Sequence, residues 1–369
     1  MKIIFSGGGT GGHIYPAIAV AEQLEKQNLA QNSDILFVGA LGKMEMTKVA
    51  ELGFKIEGLP ISGLVRKLTF KNFVVLWNSI RSIFIALGLV RKFKPNVVIG
   101  FGGYASLPLV AAAQLCGVPT VLWEGNSYAG LANKFLAKRA TKVVVSYEGM
   151  EKFFDKNKIE VLGNPIRGDF SDIVKKSEVS KEYFGFKNEL PTIVVTGGSL
   201  GAQALNNSVF EYLDEILEKK EINLVWQCGA YYYQKVLERL GDKVDSDNLW
   251  VNAFISKMKY AYEIADVVIA RSGASSVTEL ALAGCATIFV PSSNVTDDHQ
   301  TKNASSLVAA GAALLLKDDE SLVKKLLPFA IDTVKDKTKV KELETQIKKM
   351  AKPSAANAVA NLLRKLNDE

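Results

Sequence analysis

Ile3-Ile4-Phe5-Ser6-Gly7-Gly8-Gly9-Thr10-Gly11-Gly12-His13 joins a short apolar run to a glycine-rich turn that ends in a histidine. Pro16 follows in the first turn of a predicted helix, where its missing N–H costs little. A strand, a glycine turn and a helix in this order are typical of open α/β folds, in which ligands bind to loops at the carboxyl ends of strands. The stretch therefore predicts a first strand followed by a ligand-binding loop.

The same order of elements recurs along the whole chain. Predicted strands of the first half are Ile3–Phe5, Ile35–Val38, Val97–Ile99, Thr120–Trp123 and Val143–Ser146, and those of the second half are Thr192–Val195, Asn223–Trp226, Trp250–Val251, Val267–Ile269 and Ile288–Val290. Continuous apolar runs separated by helices indicate parallel strands that are covered on both faces. We therefore predict an α/β fold with two doubly wound, Rossmann-like sheets.

The length of 369 residues predicts two domains, because single cores rarely grow past about 250–300 residues. The pattern breaks at Gly163-Asn164-Pro165-Ile166-Arg167 and again at Lys352-Pro353. We expect a first lobe of residues 1–163 plus 353–369 and a second lobe of residues 164–352. Each lobe holds one of the two histidines, which suggests one site between the lobes.

The composition indicates a cytoplasmic protein. The apolar fraction is 48%, enough for two ordinary cores. The apolar run after Met1 is too short for a signal peptide. Cys116, Cys228 and Cys285 are widely spaced in apolar surroundings, which predicts reduced, buried thiols without a metal or disulfide framework.

The excess positive charge lies in one segment. Residues 58–123 contain no Asp or Glu but seven of the 45 Lys and Arg residues, in a chain of net charge +6. Basic groups beside apolar ones favour contact with an anionic membrane surface, at about 1 kcal/mol per basic residue. The expected contact residues are Leu64, Arg66, Lys67, Leu68, Phe70, Lys71, Phe73, Trp77 and Arg81. The alternative is a core helix with a solvated basic side; Arg81 argues against a membrane span.

Gly7, Gly9 and Gly12 match G-x-G-x-x-G, a pattern of dinucleotide sites. Such sites also need an acid at the end of the next strand, yet that strand ends Val38-Gly39-Ala40, so we do not predict a nicotinamide cofactor. A tight turn without a ligand is the other alternative. Glycines and a helix N-terminus nevertheless favour anionic oxygens at this turn.

Two further glycine-rich turns follow predicted strands, at Gly100–Ser106 and at Thr196–Ala202. Neither continues into Gly-Lys-Ser/Thr, which excludes a P-loop nucleoside triphosphatase. Three such turns at strand ends predict one or two ligands that carry phosphate.

A polar cluster marks the second half. Glu279 lies about two turns into the helix after Arg271-Ser272-Gly273, where a carboxylate could accept hydrogen bonds from a ribose diol. His299 and Gln300 follow the next strand and offer donors and acceptors for sugar hydroxyls. Alone, Glu279 would be a solvated helix residue; the neighbouring polar loop favours a site.

Six motifs occur in the order of a known family: Gly8–His13, Phe101–Tyr104, Gly163–Arg167, Gly197–Ala202, Arg271–Ala274 with Glu279, and Asp298–Gln300 with Asn303-Ala304. They resemble glycosyltransferase family 28, a family of GT-B enzymes that includes the one that makes peptidoglycan lipid II. The resemblance implies two lobes facing a cleft, with UDP-N-acetylglucosamine held mainly by the second. The acceptor would be lipid I at the anionic cytoplasmic face of the bacterial cell membrane, where the enzyme is peripheral. Other cell-wall synthesis proteins are implied as partners; nucleic acid is not.

The resemblance also implies roles for single residues. Glu279 matches the ribose-binding glutamate, and Ile255 matches the position whose backbone reads uracil. Ser199 and Arg167 match residues that hold the nucleotide and its phosphates. The remaining implied substrate contacts are Thr10, Gly11, Gly12, Asn126, Ala274, Ser275, Ser276, His299 and Gln300.

One motif departs from the family pattern. Trp123-Glu124-Gly125-Asn126 stands where the family has His-Glu-Gln-Asn. Asn126 is retained, so its implied contact with the donor sugar is retained as a prediction. The missing histidine leaves His13 as the only histidine in the matched loops of the first lobe.

The reaction predicted from the resemblance is inverting glycosyl transfer without a metal or other cofactor. The muramyl 4-hydroxyl attacks the anomeric carbon, and UDP leaves. No Asp-x-Asp lies at a predicted strand end to hold Mg²⁺, so Arg167, Ser199 and helix N-termini would stabilise the diphosphate. His13 is the candidate catalytic base, because imidazole titrates near neutral pH; holding the acceptor pyrophosphate is its alternative role.

Two rival functions remain open from the sequence. A UDP-N-acetylglucosamine 2-epimerase shares the two-lobed fold but leaves the basic segment unexplained. A nucleotide-sugar-binding subunit that serves a separate catalytic chain agrees with the missing histidine, but not with both lobes being present in one chain.

Overall fold

The protein was analysed as a computed structural model. It describes residues 1–61, 71–166, 170, 172–198, 200–293 and 298–369, and the side chains of 71–76 are not described. The chain divides into two compact units. The first consists of Met1–Gly168 and Lys352–Glu369, and the second of Asp169–Ala351.

The first unit contains a parallel sheet with the strand order β3-β2-β1-β4-β5-β6-β7. Its strands are β1 (Ile3–Ser6), β2 (Ile35–Ala40), β3 (Lys55–Leu59), β4 (Val97–Gly100), β5 (Thr120–Glu124), β6 (Lys142–Val145) and β7 (Ile159–Val161). Ser6 of β1 is in register with Val38 on one side and Gly100 on the other. Because the strand order reverses at β1, the loops after β1 and β4 open at a switch point, where ligands bind in such sheets.

Helices cover both faces of this sheet. They are α1 (Gly11–Lys26), α2 (Met44–Glu51), α3 (Lys71–Phe93), α4 (Ser106–Leu115), α5 (Leu131–Leu136) and α14 (Ala355–Asp368). α3, α4 and α5 share one buried cluster with β2, β4 and β5. α1 and α14 share the cluster on the other face, into which α14 buries Val359 and Leu363. The last helix therefore completes the core of the first unit.

The second unit contains a parallel sheet with the order β10-β9-β8-β11-β12-β13. Its strands are β8 (Thr192–Thr196), β9 (Asn223–Gln227), β10 (Leu249–Asn252), β11 (Val267–Ala270), β12 (Thr287–Phe289) and β13 (Leu314–Leu315). The switch point here lies between β8 and β11, whose residues Thr196 and Ala270 are in register. The two sheets therefore place a glycine loop at equivalent positions.

The helices of the second unit also lie on both faces. They are α6 (Glu178–Phe184), α7 (Gln203–Lys219), α8 (Tyr233–Leu240), α9 (Met258–Ile264), α10 (Ala274–Ala283), α11 (His299–Ala309), α12 (Leu322–Lys335) and α13 (Lys337–Lys349). One buried cluster takes in α7, α8 and α12, and the other takes in α9, α10 and α11. Both sheets are thus doubly wound, as predicted.

All ten predicted strands are present, and the described residues contain three more that the sequence analysis missed. The missed strands are β3, β7 and β13, which contribute only five, three and two residues. β3, β7 and β13 lie at sheet edges and are partly exposed, so they lack the continuous apolar run that identified the others. Cys228 and Cys285 are buried free thiols, and Cys116 is half-buried. Within the described residues, no helix has the length and apolar character needed to cross a membrane.

Candidate active site

In the first unit, His13 lies where the loops after β1 and β4 meet. It is the third residue of α1, and its ring packs against the backbone of Gly102 and Gly103. A Cβ atom at Gly102 would lie 3.3 Å from the ring, and one at Gly103 would lie 3.2 Å from Nδ1. Both glycines have positive φ, +87° and +73°. The glycine-rich turn at Gly100–Ser106 therefore lets its backbone approach the imidazole.

The hydrogen bonds of His13 determine its tautomer. Nδ1 lies 3.1 Å from the carbonyl oxygen of Gly8 and 3.2 Å from Oγ1 of Thr10. A carbonyl oxygen can only accept, so Nδ1 carries the proton in this contact. In the neutral ring, Nε2 then carries the lone pair, which is the arrangement that a base requires.

Glu45 is a functional candidate that the sequence analysis missed. It lies in α2, is fully buried, and accepts hydrogen bonds from the backbone N–H of Gly9 at 3.1 Å and of Ala40 at 3.1 Å. A Cβ atom at Gly8 would lie 2.0 Å from its Oε1. The first glycine loop thus binds an internal carboxylate through Gly9. An acid was sought only at the end of β2, whereas this one lies five residues later.

Tyr104 closes the same loop from β4. A Cβ atom at Gly9 would lie 3.3 Å from its ring. Burial, and then the negative charge of Glu45, raise the pKa of the Tyr104 hydroxyl. The tyrosine therefore stays neutral beside the carboxylate.

The loop after β5 is organised around the buried carboxylate of Glu124. This carboxylate accepts hydrogen bonds from the backbone N–H of Gly130 at 2.9 Å and from Nδ2 of Asn133 at 3.0 Å. Asn126 donates to it from its backbone at 3.1 Å and from Nδ2 at 3.4 Å. Asn126, the asparagine that this motif shares with the family pattern, is therefore held by Glu124.

Trp123 and Gly125, the two departures from the family motif, are physically coupled. A Cβ atom at Gly125 would lie 2.2 Å from the indole ring of Trp123. The indole is buried, and its Nε1 donates to the carbonyl of Gly163 at 3.4 Å. Trp123 occupies the space that a side chain at position 125 would need. The loss of the family's histidine and of its glutamine is thus one packing change.

In the second unit, the glycine loop after β8 is shaped by close backbone contacts. A Cβ atom at Gly201 would lie 2.1 Å from the carbonyl oxygen of Cys228, and one at Gly229 would lie 2.3 Å from Gly201. Gln227 donates to the carbonyl of Gly198 at 2.9 Å. The described contacts of this loop are to neutral groups, unlike those of the first loop. Ser199 and Arg167, both predicted to hold phosphate, lie outside the described residues.

The segment after β11 begins α10 and presents the predicted Ala274, Ser275 and Ser276, all partly buried. Oγ of Ser275 is inaccessible to solvent and has no hydrogen-bond partner among the described residues. An unsatisfied buried hydroxyl costs about 1–3 kcal/mol, which a ligand that supplies the missing bond would offset. Arg271 instead pairs with Asp318 at 2.8 Å and is structural.

Glu279 lies on α10 and is held by one tyrosine. The hydroxyl of Tyr262, on α9, donates to Oε2 of Glu279 at 3.1 Å. Burial raises the pKa of the Glu279 carboxyl to about 7, although the Tyr262 hydrogen bond opposes the rise. The carboxylate is thus oriented, and it titrates in the neutral range.

The loop after β12 leads into α11, where His299 is the first residue and is partly buried. Oε1 of Gln300 accepts the backbone N–H of Ser292 at 2.8 Å, which directs the amide of Gln300. Ser272 donates to the backbone carbonyl of Gln300 at 2.9 Å. This bond ties the loops after β11 and β12 together.

Most predicted donor-site residues of the second unit lie along one edge of its sheet. Ile255 is buried in the segment between β10 and α9. The residues after β10, β11 and β12 follow the carboxyl ends of parallel strands, and the β8 loop does the same. This edge is where nucleotides bind in doubly wound sheets.

The structure describes only some of the residues that are predicted to contact the membrane. Leu64, Arg66, Lys67, Leu68 and Phe70 lie outside the described residues, and the side chains of Lys71 and Phe73 are not described. Trp77 is 69% exposed, and Arg81 beside it is exposed. On the same helix, Ile80 and Phe84 are exposed as well.

A doubly wound sheet in each unit, with a glycine loop at each switch point, defines the architecture of the GT-B glycosyltransferases. The family comparison agrees with this class. Residues 3–145 match the glycosyltransferase family 28 N-terminal domain, and residues 192–361 match the family 28 C-terminal domain. The chain belongs to glycosyltransferase family 28.

Similar proteins include a named transferase and two solved structures. A relative from Bacteroides thetaiotaomicron, named UDP-N-acetylglucosamine–N-acetylmuramyl-(pentapeptide) pyrophosphoryl-undecaprenol N-acetylglucosamine transferase, is 44% identical over 99% of this chain and 98% of its own. The crystal structure of Acinetobacter baumannii MurG has a TM-score of 0.74 at 28% identity and covers 99% of both chains. A putative UDP-N-acetylglucosamine 2-epimerase from Listeria monocytogenes has a TM-score of 0.71 at 15% identity, covering 99% of this chain and 96% of its own. The last likeness shows the fold alone.

Proposed function

We propose that the protein transfers N-acetylglucosamine from UDP-N-acetylglucosamine to the 4-hydroxyl of lipid I, with inversion, and so forms lipid II for cell-wall synthesis. The observation that carries the proposal is the 44% identity, over essentially the full length of both chains, to a transferase of that name. The epimerase alternative is supported only at 15% identity.

The second unit is proposed to hold the donor. Glu279 would accept hydrogen bonds from the ribose diol, which suits a half-buried carboxylate that one tyrosine orients. The unsatisfied hydroxyl of Ser275 and the directed amide of Gln300 would contact phosphate and sugar. Ile255 would read the base, and His299, Ala274 and Ser276 would complete the pocket. Arg167 and Ser199 keep their predicted roles at the diphosphate.

The first unit is proposed to hold the acceptor and the base. Nε2 of His13 takes the proton of the muramyl hydroxyl as that oxygen bonds to the anomeric carbon. The bond from the anomeric carbon to the diphosphate breaks in the same step, and UDP leaves. The tautomer set by Gly8 supports this role. Thr10, Gly11, Gly12 and Asn126 would position the two sugars around it.

The first unit is also proposed to dock on the anionic cytoplasmic face of the cell membrane. Trp77, Ile80 and Phe84 expose apolar area on α3, next to the basic Arg81. α5 lies over the same face of the sheet, and it exposes Leu131 and Phe135 near Lys134 and Lys138. Apolar groups among basic ones fit an anionic lipid surface.

One assay separates the proposal from both rivals. The purified protein is incubated with labelled UDP-N-acetylglucosamine and a short-chain lipid I analogue. We expect the label in a disaccharide-lipid. Label in an epimerised sugar would establish the epimerase instead, and donor that binds without turnover would indicate a binding subunit.

The base is tested with His13→Ala, which should reduce turnover at least a hundredfold while UDP binding stays within about twofold. His299→Ala, which changes the proposed donor pocket, is the contrasting variant and should weaken UDP binding instead. A loss of UDP binding by His13→Ala, without loss of chemistry on bound donor, would instead assign His13 to substrate binding.

A further inference from the structure

The peptide bond between Gly8 and Gly9 joins a buried carboxylate to the candidate base. Its N–H, on Gly9, donates to both carboxylate oxygens of Glu45 at 3.1 and 3.2 Å. Its C=O, on Gly8, lies 3.1 Å from Nδ1 of His13 and accepts the Nδ1 proton. Carboxylate, peptide group and imidazole therefore form one continuous chain of hydrogen bonds.

We propose that Glu45 is a positioning residue that acts on His13 through the Gly8–Gly9 peptide. The carboxylate polarises the peptide by drawing on its N–H, which makes the Gly8 carbonyl a stronger acceptor for the Nδ1 proton. A stronger acceptor at Nδ1 fixes the Nε2 lone pair and stabilises the imidazolium that forms when Nε2 takes a proton. The inference rests on the proposed role of His13 as base.

The position of His13 explains why such support is needed. It is the third residue of α1, where the N-terminal end of the helix disfavours a positive charge. An imidazolium formed there needs compensating negative charge. Glu45 supplies a carboxylate behind the peptide, and the carbonyl of Gly8 supplies a dipole oriented toward the ring.

Close contacts on both sides fix the position of the Gly8–Gly9 peptide. Glu45 is fully buried, and it is held by the N–H of Ala40 at the end of β2 as well as by Gly9. A Cβ atom at Gly8 would overlap its Oε1, and a Cβ atom at Gly103 would lie 2.8 Å from the Gly8 carbonyl. Two glycines thus keep the peptide in contact with the carboxylate on one side and the ring on the other.

The other titratable groups at this loop come from separate elements. Tyr104 packs on Gly9 from the loop after β4, and Tyr15 of α1 lies beside Gly11. Glu124 is placed behind Asn133, whose Nδ2 lies 3.7 Å from a Cβ built at Gly102. Among these, Glu45 is the carboxylate that reaches His13 through a single peptide group.

The test compares the pH dependence of kcat/KM for the wild-type protein, Glu45→Gln and the control Glu51→Gln. Glu51 lies on the same helix but is exposed and paired with Lys48 at 2.8 Å. We expect Glu45→Gln to move the acid limb of the profile down by about one pH unit and to lower the plateau about tenfold. Glu51→Gln should match the wild type. A uniform loss at every pH, with the limb unmoved, would show a merely structural role and overturn the proposal.

A second measurement uses the wild-type protein, so it does not depend on whether Glu45→Gln folds. The chain has two histidines, so ¹⁵N NMR of the histidine-labelled wild-type protein yields two rings, and His13→Ala assigns them. We expect the neutral His13 ring to be protonated at Nδ1; protonation at Nε2 overturns the proposal. Full turnover by His13→Ala would overturn the proposed base itself. If His13→Ala is inactive but the acid limb of Glu45→Gln is unmoved, the inference about Glu45 is overturned while the role of His13 as base is kept.

Discussion

At the scale of the single residue, chemistry depends on side chains that are partly removed from water. Glu45 is buried and Glu279 is half-buried, and their partners differ. Glu45 accepts backbone N–H groups and serves its own loop, whereas Glu279 accepts one tyrosine hydroxyl and titrates near neutral pH. Glu279 therefore combines an oriented carboxylate with a pKa near neutral pH.

Donor affinity should rise with pH through the titration of Glu279. Its pKa of about 7 means that the carboxyl is mostly protonated at pH 6 and mostly ionised at pH 8. The ionised form accepts two ribose hydroxyl bonds, so calorimetry should show UDP-N-acetylglucosamine binding about tenfold tighter at pH 8 than at pH 6. Glu279→Gln should bind more weakly and without this dependence. The exposed Glu238→Gln should behave as wild type; equal slopes in all three proteins would contradict the assignment.

The coupling of Trp123 and Gly125 should appear in stability. Gly125→Ala places a Cβ atom against the indole and should cost about 1–3 kcal/mol in the free energy of unfolding, as overpacking does. In a Trp123→His background, the same change should cost little, because the six-membered ring of the indole that the Cβ atom would meet is gone. Denaturant unfolding of the four proteins in the cycle measures the difference. Equal costs in the two backgrounds would mean that the two sites are independent.

At the scale of the element, the alternation of strand, loop and helix was predictable because buried parallel strands are continuous apolar runs. The glycine loops at both switch points followed from the same pattern. Edge strands such as β3 and β13 were not predictable, since half-exposed or two-residue strands leave no such run. Glu45 was missed for a related reason: its role depends on the turn that returns α2 to the first loop, and no local pattern encodes that contact.

The exposed face of α3 predicts membrane binding. Trp77→Ser with Phe84→Ser removes two large apolar groups, each of which contributes about 1.5–3 kcal/mol when buried. Sedimentation with anionic vesicles should show binding weakened at least tenfold, while turnover of a soluble acceptor is retained. The control replaces Val179 and Met350, exposed apolar residues of the second unit, by serine. Undiminished vesicle binding by the α3 variant would place the contact elsewhere.

At the scale of the whole molecule, each of the two units contains one doubly wound sheet with a glycine loop at its switch point. We propose that the second unit holds the donor and that the first supplies the base. Family membership covers both units. The sequence predicted that the first glycine loop binds the anionic oxygens of a ligand. One of its N–H groups, that of Gly9, instead donates to Glu45.

Catalysis is expected to survive removal of divalent ions. The diphosphate charge is assigned to Arg167, Ser199 and helix N-termini, which chelation does not affect. Turnover after treatment with EDTA should stay within about twofold of the untreated value, and added Mg²⁺ should not raise it. Arg167→Ala should lower turnover at least tenfold under the same conditions. Full loss of activity on chelation would reassign charge stabilisation to a metal.

The return of α14 to the first unit has a consequence for biosynthesis. The ribosome completes residues 169–351 before it releases the helix that covers α1. Until α14 is released, the apolar residues that it covers in the first unit stay exposed to water while the second unit folds. A nascent chain arrested before residue 355 should need chaperone protection over its earliest part, even though that part left the ribosome first.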